Sequence, residues 1–487
     1  MGTRVLFCIL SGVLAVAAPM AQAQVAPQPV SPVVLPAGAP IPAGAPLELT
    51  LDEAVALSLR YNRRVRSAYL QRVVQRFDLR VAERAFVPRG EIGVEVAQRR
   101  FDGLSSSETL ISPAATWRTP LGGTVSFVWA RADPLQGGGA GYETAGVSLN
   151  QPLLRGGGLA VNMAPIHIAR LQEEINRLQL EATVSGTVSA VIISYRSLVQ
   201  AQEQVALAEA SLERTRALLE TNRALIQAGR MAESDIVQTE SGVASQEVAV
   251  LQSRQQVVSA QLGLLQLLAL ASRTNVVAVE PMRASRVEVD MERALEAAFA
   301  ARIDLLAQRK SLEQMRQSMI IARNQRLWDL SLVATATRDD GPRFFDRYDE
   351  TDTTIGLRLS MPIGDLSRRQ AWLASETAMQ TAELAYEEMQ QSVESQVLDA
   401  VQAVEAGWRQ VEAAQRARTL SARALEIGQE RLRFGRASNF EVLSLQADLR
   451  AADVQFLSAN IAYLNALTAL DQQIGSTLET WRISLND

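Results

Sequence analysis

The sequence turns on two short signatures, Asn150-Gln151-Pro152-Leu153-Leu154 and Ser360-Met361-Pro362-Ile363. Each closes an alternating, strand-like segment. Each opens a long stretch rich in Ala, Leu, Gln, Glu and Arg, one with no proline between Pro165 and Pro281 and one with none after Pro362. The chain therefore reads as one unit written twice, short strands followed by a very long helical hairpin.

The helical halves repeat at an offset of 206 residues, as in Gly435 against Gly229. In the first half Leu198, Val205, Leu212, Leu219 and Ile226 recur every seventh position, interleaved with Ala201, Ala208, Thr215 and Asn222. The matching rows of the second half read Val404, Val411, Arg418, Leu425 and Leu432, with Gly407, Ala414, Ser421 and Gly428. One apolar row beside one small row is a coiled-coil seam with closely spaced backbones. Sustained self-similarity of this kind indicates duplication. Each hairpin is expected to turn at a glycine, Gly229-Arg230-Met231-Ala232 and Gly435-Arg436-Ala437-Ser438, because glycine accepts the left-handed conformation that ends a helix. Ser438 is placed to cap the next helix. A helix from Pro165 to Gly229 would be a rod of roughly 90–100 Å.

Between the helices, apolar and polar residues alternate. Ile92, Val94 and Val96 alternate with Glu91, Gly93 and Glu95. Val125, Phe127 and Trp129 follow the same rule, as do Ala145, Val147 and Leu149, then Leu330 and Leu332, and Ile355, Leu357 and Leu359. Such strands fit either a half-buried sheet in a soluble protein or a barrel with its apolar side in lipid. Trp117, Trp129 and Trp328 near the strand ends favour the membrane. Gly137-Gly138-Gly139 and Asp339-Asp340-Gly341 are expected as surface turns. A first helix is expected from Thr50, capped by Thr50 and Glu53, to about Phe86, before Pro88.

At the N-terminus Arg4 precedes the apolar run Val5 to Ala18, and Ala21-Gln22-Ala23 suits cleavage. The expected organisation is a signal peptide at 1–23, a Pro/Ala-rich leader at 24–46, a first repeat at 47–280 and a second at 281–487. Cys8, the one cysteine, lies within the signal's apolar run. No later apolar run approaches the ~20 residues of a membrane helix, so any span must be made of strands.

Composition excludes several function classes. A net charge of −5 offers no basic field for nucleic acid. His167 is the one histidine and Lys310 the one lysine, so zinc sites, catalytic triads and a P-loop find no residues to build them. Gly156-Gly157-Gly158 reads as a strand-to-helix joint. No catalytic, cofactor or metal site is expected, and the chain is not read as an enzyme.

The layout resembles the outer-membrane efflux protein (TolC) family. The matching residues are Leu51-Asp52-Glu53-Ala54-Val55-Ala56-Leu57-Ser58-Leu59, the two strand exits, and the tips Ala228-Gly229-Arg230-Met231-Ala232-Glu233-Ser234-Asp235-Ile236-Val237 and Arg433-Phe434-Gly435-Arg436-Ala437-Ser438-Asn439-Phe440-Glu441-Val442-Leu443. The resemblance implies a mostly α fold with a membrane β-barrel portion, assembled as a homotrimeric tube through outer-membrane lipid and periplasm. It implies a passive exit duct, energised by an inner-membrane transporter through a periplasmic adaptor. The exported cargo stays open, including polypeptide in a type I secretion system; a secreted coiled-coil scaffold is the rival reading. The family number is four strands per chain, twelve in all. The segment from Ile111 to Arg131 offers an extra hairpin, either an external loop or an enlargement of the barrel, and the family number is the one expected.

The resemblance also implies site residues. Glu441 falls at an acidic ring narrowing the pore entrance, with Asp235 at the equivalent place in the first repeat; ordinary first-turn acids stabilised by the helix dipole are the alternative. The family's second acidic position is Ser444 here, which weakens the ring. A gating arginine of some members falls on Ala437, so that latch is lacking. Gly229, Arg230, Gly435 and Arg436 are expected to contact adaptor hairpins.

Overall fold

The computed structural model describes residues 46–101, 104–135, 141–281, 284–343 and 346–485. The expected signal peptide, nearly all of the leader, and the Gly137–Gly139 turn lie outside these residues. The chain enters through β1 (Leu47–Leu49), which pairs in parallel with β6 (Val276–Ala278).

Helix α1 (Leu51–Tyr61) opens with the expected capping box: the Glu53 amide donates to the Thr50 hydroxyl, and the Thr50 amide donates to the Glu53 carboxylate. It does not continue to Phe86. At Asn62 the backbone turns extended (ψ 128°), and the Asn62 side-chain oxygen accepts from the amides of Arg64 and Val65 to start α2 (Arg63–Glu83). The first helix is thus two, because asparagine satisfies free helix amides better as a cap than within a turn. A 3-10 turn, Arg84–Phe86, precedes the sheet.

The main sheet is antiparallel and six-stranded: β2 (Arg89–Phe101), β3 (Leu104–Arg118), β4 (Thr124–Pro134), β5 (Tyr142–Pro152), β7 (Asp329–Arg343) and β8 (Asp346–Ser360), neighbours in that order. Four strands were expected. The difference is the β3–β4 hairpin, which lies between β2 and β5. A second correction concerns Asp339-Asp340-Gly341, which continue β7 opposite Glu350, Asp349 and Tyr348 instead of turning.

The pairing register sorts the side chains. Val94 lies opposite Ile111, Trp117 opposite Val125, Phe127 opposite Val147, Leu149 opposite Ala334, and Leu332 opposite Leu357. One face therefore carries an apolar band across all six strands at the helical end, while its far end carries Arg131, Glu143, Asp340 and Asp349 in the same registers. The opposite face carries Glu91, Ser126, Ser148, Thr335 and Thr354 in the same registers. Ile92 is 75% exposed and Ile355 74%. An apolar sheet face this broad and open is unlike a soluble surface and suits hydrocarbon.

Four long helices dominate the rest. The 69-residue α3 (Leu159–Gln227) packs against α4 (Asp235–Leu268), and the 67-residue α7 (Ser367–Arg433) against α8 (Asn439–Ile474). At 1.5 Å per residue α3 and α7 are each ~100 Å long. α3 starts six residues before Pro165, from Gly158 (φ 101°). It holds a window apolar enough to cross a membrane by composition, yet 61% of that window is buried in the fold, where Val184, Val188, Val191 and Leu198 form the first core with α1 and α4. The shorter α5 (Met291–Ala301) and α6 (Ile303–Gln325) complete a second core with α7 and α8. A last turn, α9 (Thr477–Thr480), ends the helical part.

Two buried tyrosines secure the connecting segments to the helices. The Tyr195 hydroxyl on α3 donates to the Leu49 carbonyl at 2.8 Å. The Tyr463 hydroxyl on α8 donates to the Ser285 carbonyl at 2.9 Å and accepts from the Val287 amide at 3.0 Å. Burial pushes the Tyr195 phenol up from its ordinary range. Tyr195→Phe keeps the ring, removes the shorter of the two hydrogen bonds to the Leu49 carbonyl and leaves it the Val279 amide at 3.2 Å. It is expected to lower stability by about 1 kcal/mol, read as a lower midpoint in detergent thermal unfolding.

Candidate functional site

The two hairpin tips lie where the sequence places them, and both close by the same backbone device. At the first, Gly229 (φ 68°) follows the α3 C-cap Ala228; its amide donates to the Ile226 carbonyl and the Arg230 amide to Leu225. At the second, Gly435 (φ 69°) donates to Leu432 and Arg436 to Arg431. This is a Schellman closure. A Cβ on either glycine would meet open space, so the requirement for glycine is the positive φ alone.

The helices leaving the tips begin differently. Ser438 accepts from the Glu441 amide and starts α8 at Asn439. The equivalent residue is Ala232, which has no oxygen to offer, and α4 starts at Asp235 with no side-chain cap. Counted by the offset of 206, that is two residues later than in the second hairpin.

Glu441 is half-buried, and its carboxylate accepts from Arg431 at 3.0 Å. The same guanidinium donates to the Arg436 carbonyl at 3.3 Å, so Arg431 staples the two sides of the turn. Leu225 occupies the equivalent place in the first repeat. Asp235 is exposed and its carboxylate has no ion-pair partner among the described residues. Ser444, Gly229, Arg230, Gly435 and Arg436 are exposed, while Ala437 packs against the apolar tip cluster of Leu218, Leu425, Leu432 and Val442. Phe434 and Phe440 flank the second turn, 78% and 66% exposed.

Sequence reasoning missed the polar cluster behind the tips. The Asn222 amide on α3 donates to the Thr239 hydroxyl on α4 and to the Asn439 side-chain oxygen on α8, both at 2.8 Å. The Asn439 amide returns to Thr239 at 2.9 Å and to the Asp235 carbonyl at 3.3 Å. Below it, the Thr215 hydroxyl meets Gln446 at 3.2 Å. Asn222 and Thr239 are fully buried. The cluster joins the first hairpin to the second within one chain, and the available signal was an asparagine on a buried heptad row, a position that fixes register.

A further buried contact ties the hairpins at mid-length. Arg196 on α3 donates to the Leu464 carbonyl at 2.6 Å and the Thr468 hydroxyl at 2.7 Å on α8. Burial pulls its pKa down to about 10, opposed by the charge of Asp471. His167 is exposed on α3, and no cluster of metal-ligating residues occurs among the described residues.

A family model described as outer membrane efflux protein matches residues 116–270 and 294–476, which takes in both strand exits and both helical hairpins. No curated protein matches the chain. Among solved structures, the Campylobacter jejuni CmeC outer membrane channel superposes with a TM-score of 0.68 at 15% identity, covering 88% of this chain and 86% of that one. The outer membrane protein VceC of Vibrio cholerae gives 0.68 at 15%, covering 87% and 96%. The open state of the Neisseria gonorrhoeae MtrE outer membrane channel gives 0.66 at 15%, covering 87% and 88%. At these identities the superpositions speak for the fold, and the family match speaks for kinship: the chain belongs to the outer membrane efflux protein family, the channels that cross the outer membrane and extend into the periplasm.

Proposed function

We propose that three copies of this chain form a passive exit duct for a tripartite export system, in which a periplasmic adaptor contacts the hairpin tips and an inner-membrane transporter supplies the energy. One observation carries the reading. A sheet with a broad apolar band on one face next to the helices, and mostly polar residues on the other face, is joined directly to helical hairpins whose longer arms are ~100 Å. The sheet suits lipid outside and water inside; the hairpins reach far below it. An open sheet cannot enclose water by itself, and copies around an axis can. The continuous apolar face also weighs against a secreted coiled-coil scaffold.

The repeats at 47–280 and 281–487 then act as quasi-equivalent staves, and the tips as the pore's inner end. Asp235 and Glu441 contribute the acidic charge there, with Ser444 one turn beyond Glu441. Because Arg431 neutralises Glu441 locally, the unpaired Asp235 supplies more of the field than its partner. Gly229, Arg230, Gly435 and Arg436 form the surface offered to the adaptor, with Phe434 and Phe440 as exposed apolar anchors beside them. In place of an arginine at Ala437, the Asn222–Thr239–Asn439 cluster holds the two hairpins of each chain in one register.

Purified protein in planar bilayers is expected to conduct in discrete steps; a well-folded oligomer that never conducts, with its adaptor present, would defeat the duct reading. Asp235→Asn is expected to lower the preference for cations by roughly two-fold at low salt, and Arg431→Gln to raise it, both effects shrinking as salt screens the tip. Reversal-potential measurements decide this, and no change with either substitution removes these acids from the pore lining. Asn222→Leu leaves the buried Asn439 side-chain oxygen without its donor and takes one of two donors from the Thr239 hydroxyl. It is expected to cost roughly 1–3 kcal/mol and to raise the frequency of wide openings in single-channel traces. Unaltered gating would assign the cluster to stability alone.

A further inference from the structure

The sheet ends on two strands paired on one side only, β2 and β8. Neither contains proline, one of the devices with which soluble proteins blunt a sheet edge. In hydrocarbon every backbone N–H and C=O left free costs several kcal/mol. The two edges match each other. β2 leaves the helical part and β8 returns to it, so a β2 edge meets a β8 edge antiparallel. They are 13 and 15 residues long. Ile92, Val94 and Val96 of one and Ile355, Leu357 and Leu359 of the other lie on the same apolar face, through the chain of registers that links them. The partner chemistry that fits is a second copy of this chain.

The intervening hairpin spans the sheet rather than looping outside it. β3 pairs with β2 from Leu104 to Thr116 and with β4 on the other side. The β3–β4 turn returns to the helical end, where it is fastened to the joint between β5 and α3. The Gly158 amide donates to the Leu121 carbonyl at 3.1 Å. The Arg118 guanidinium donates to the buried Asn162 at 2.9 Å, and Asn162 in turn donates to the carbonyls of Gly156 and Gly158. Gly122 (φ 93°) passes so close that a Cβ would lie 2.1 Å from the Gly156 carbonyl oxygen. The Trp117 indole donates to the Phe86 carbonyl at 3.0 Å, below the start of β2. An external loop would make none of these contacts.

We infer that all six strands of each copy enter the barrel, that the β2 edge of one copy pairs with the β8 edge of the next, and that three copies close on eighteen strands in place of the family's twelve. The inference rests on the trimeric duct proposed above. At equal spacing and tilt, circumference scales with strand number. With strands ~4.8 Å apart and tilted ~40°, eighteen give a backbone diameter of ~36 Å against ~24 Å for twelve. The outer-membrane section is then too wide to select cargo, and selection falls to the periplasmic tips.

Cysteine chemistry tests this cleanly in a Cys8→Ser background, since the chain has no other cysteine. Single cysteines are placed at each of positions 124–129 in β4 and probed in proteoliposomes with a water-soluble maleimide. Positions 124, 126 and 128 are expected to label at least ~10-fold faster than 125, 127 and 129, with the order reversed for a lipid-soluble maleimide. Uniform rapid labelling by the water-soluble reagent overturns the inference. Val94→Cys with Ile355→Cys is expected to yield a reducible covalent trimer. A disulfide between Val94→Cys and Val147→Cys, which needs β2 beside β5, overturns it. A conducting trimer that fails these tests leaves the duct reading intact with twelve strands. A non-conducting monomer ends the duct reading and this inference with it.

Discussion

Backbone pairing where no water can reach is the constraint on which the whole arrangement depends. A strand facing hydrocarbon must pass its hydrogen bonds to neighbours, since each unmet N–H or C=O costs several kcal/mol. One chain supplies six strands and leaves the outer rows of β2 and β8 open. The same requirement explains how the chain leaves the sheet. Pro152 ends β5 opposite Ser331, and the backbone then hands its hydrogen bonds on through Leu153 and Arg155 to the carbonyls of Leu330 and Trp328 before α3 begins. The proline of each exit signature thus stands where the ladder gives way to helix, which needs no partner strand.

Below the membrane the helices solve a packing problem in two different ways from one repeat. In the first hairpin the small row faces inward: Ala201, Ala208, Thr215 and Asn222 are buried, while Val205, Leu212, Leu219 and Ile226 are only half-buried. In the second the large row is inside, with Val404, Val411, Leu425 and Leu432 buried. Small residues on α3 let α8 approach closely enough for side-chain hydrogen bonds between hairpins, which large ones would prevent. The large row of the second hairpin fills the space that results. Arg418 interrupts that row, and the structure accommodates it by pairing with Asp453 at 2.8 Å and by lying 5.3 Å from the centre of the Phe456 ring. The charge is thereby turned along the helix surface instead of into the core.

Much of this was legible in the sequence for physical reasons. Period-two alternation at Val125–Trp129 and Ile355–Leu359 and period-seven rows from Leu198 to Ile226 and from Val404 to Leu432 are long signals, and the glycine turns are local ones. What escaped was masked by particular residues. β3 contains Pro113, and its ladder to β4 lapses at Ser112 and Pro113; a proline within a run argues against a central strand, so the hairpin read equally well as a loop. Asn62 broke the first helix because a cap competes with a helical turn at close to equal free energy, which periodicity does not register. Asp339-Asp340-Gly341 has turn composition, yet cross-strand pairing with β8 overrides it, as tertiary context commonly does for strands. The polar cluster at Asn222 required contacts between residues over two hundred positions apart, which no local pattern encodes.

The duplicated tips show how little sequence change separates two roles. Both turns are set by glycine at positive φ with the same pair of closing hydrogen bonds. Against that shared frame, Ser438 in place of Ala232 lengthens α8 toward the turn, and this brings Asn439 and Glu441 into helical register. Asn439 thereby reaches Asn222 and Thr239, and Glu441 reaches Arg431. Arg431, standing where the first repeat has Leu225, converts one acid of the pair from a free charge into part of a staple. The result is one tip whose acid is ion-paired across the turn and another whose Asp235 has no ion-pair partner among the described residues. A duplicated unit has in this way acquired two unlike ends, and the asymmetry traces to a missing hydroxyl and a missing guanidinium in the first copy.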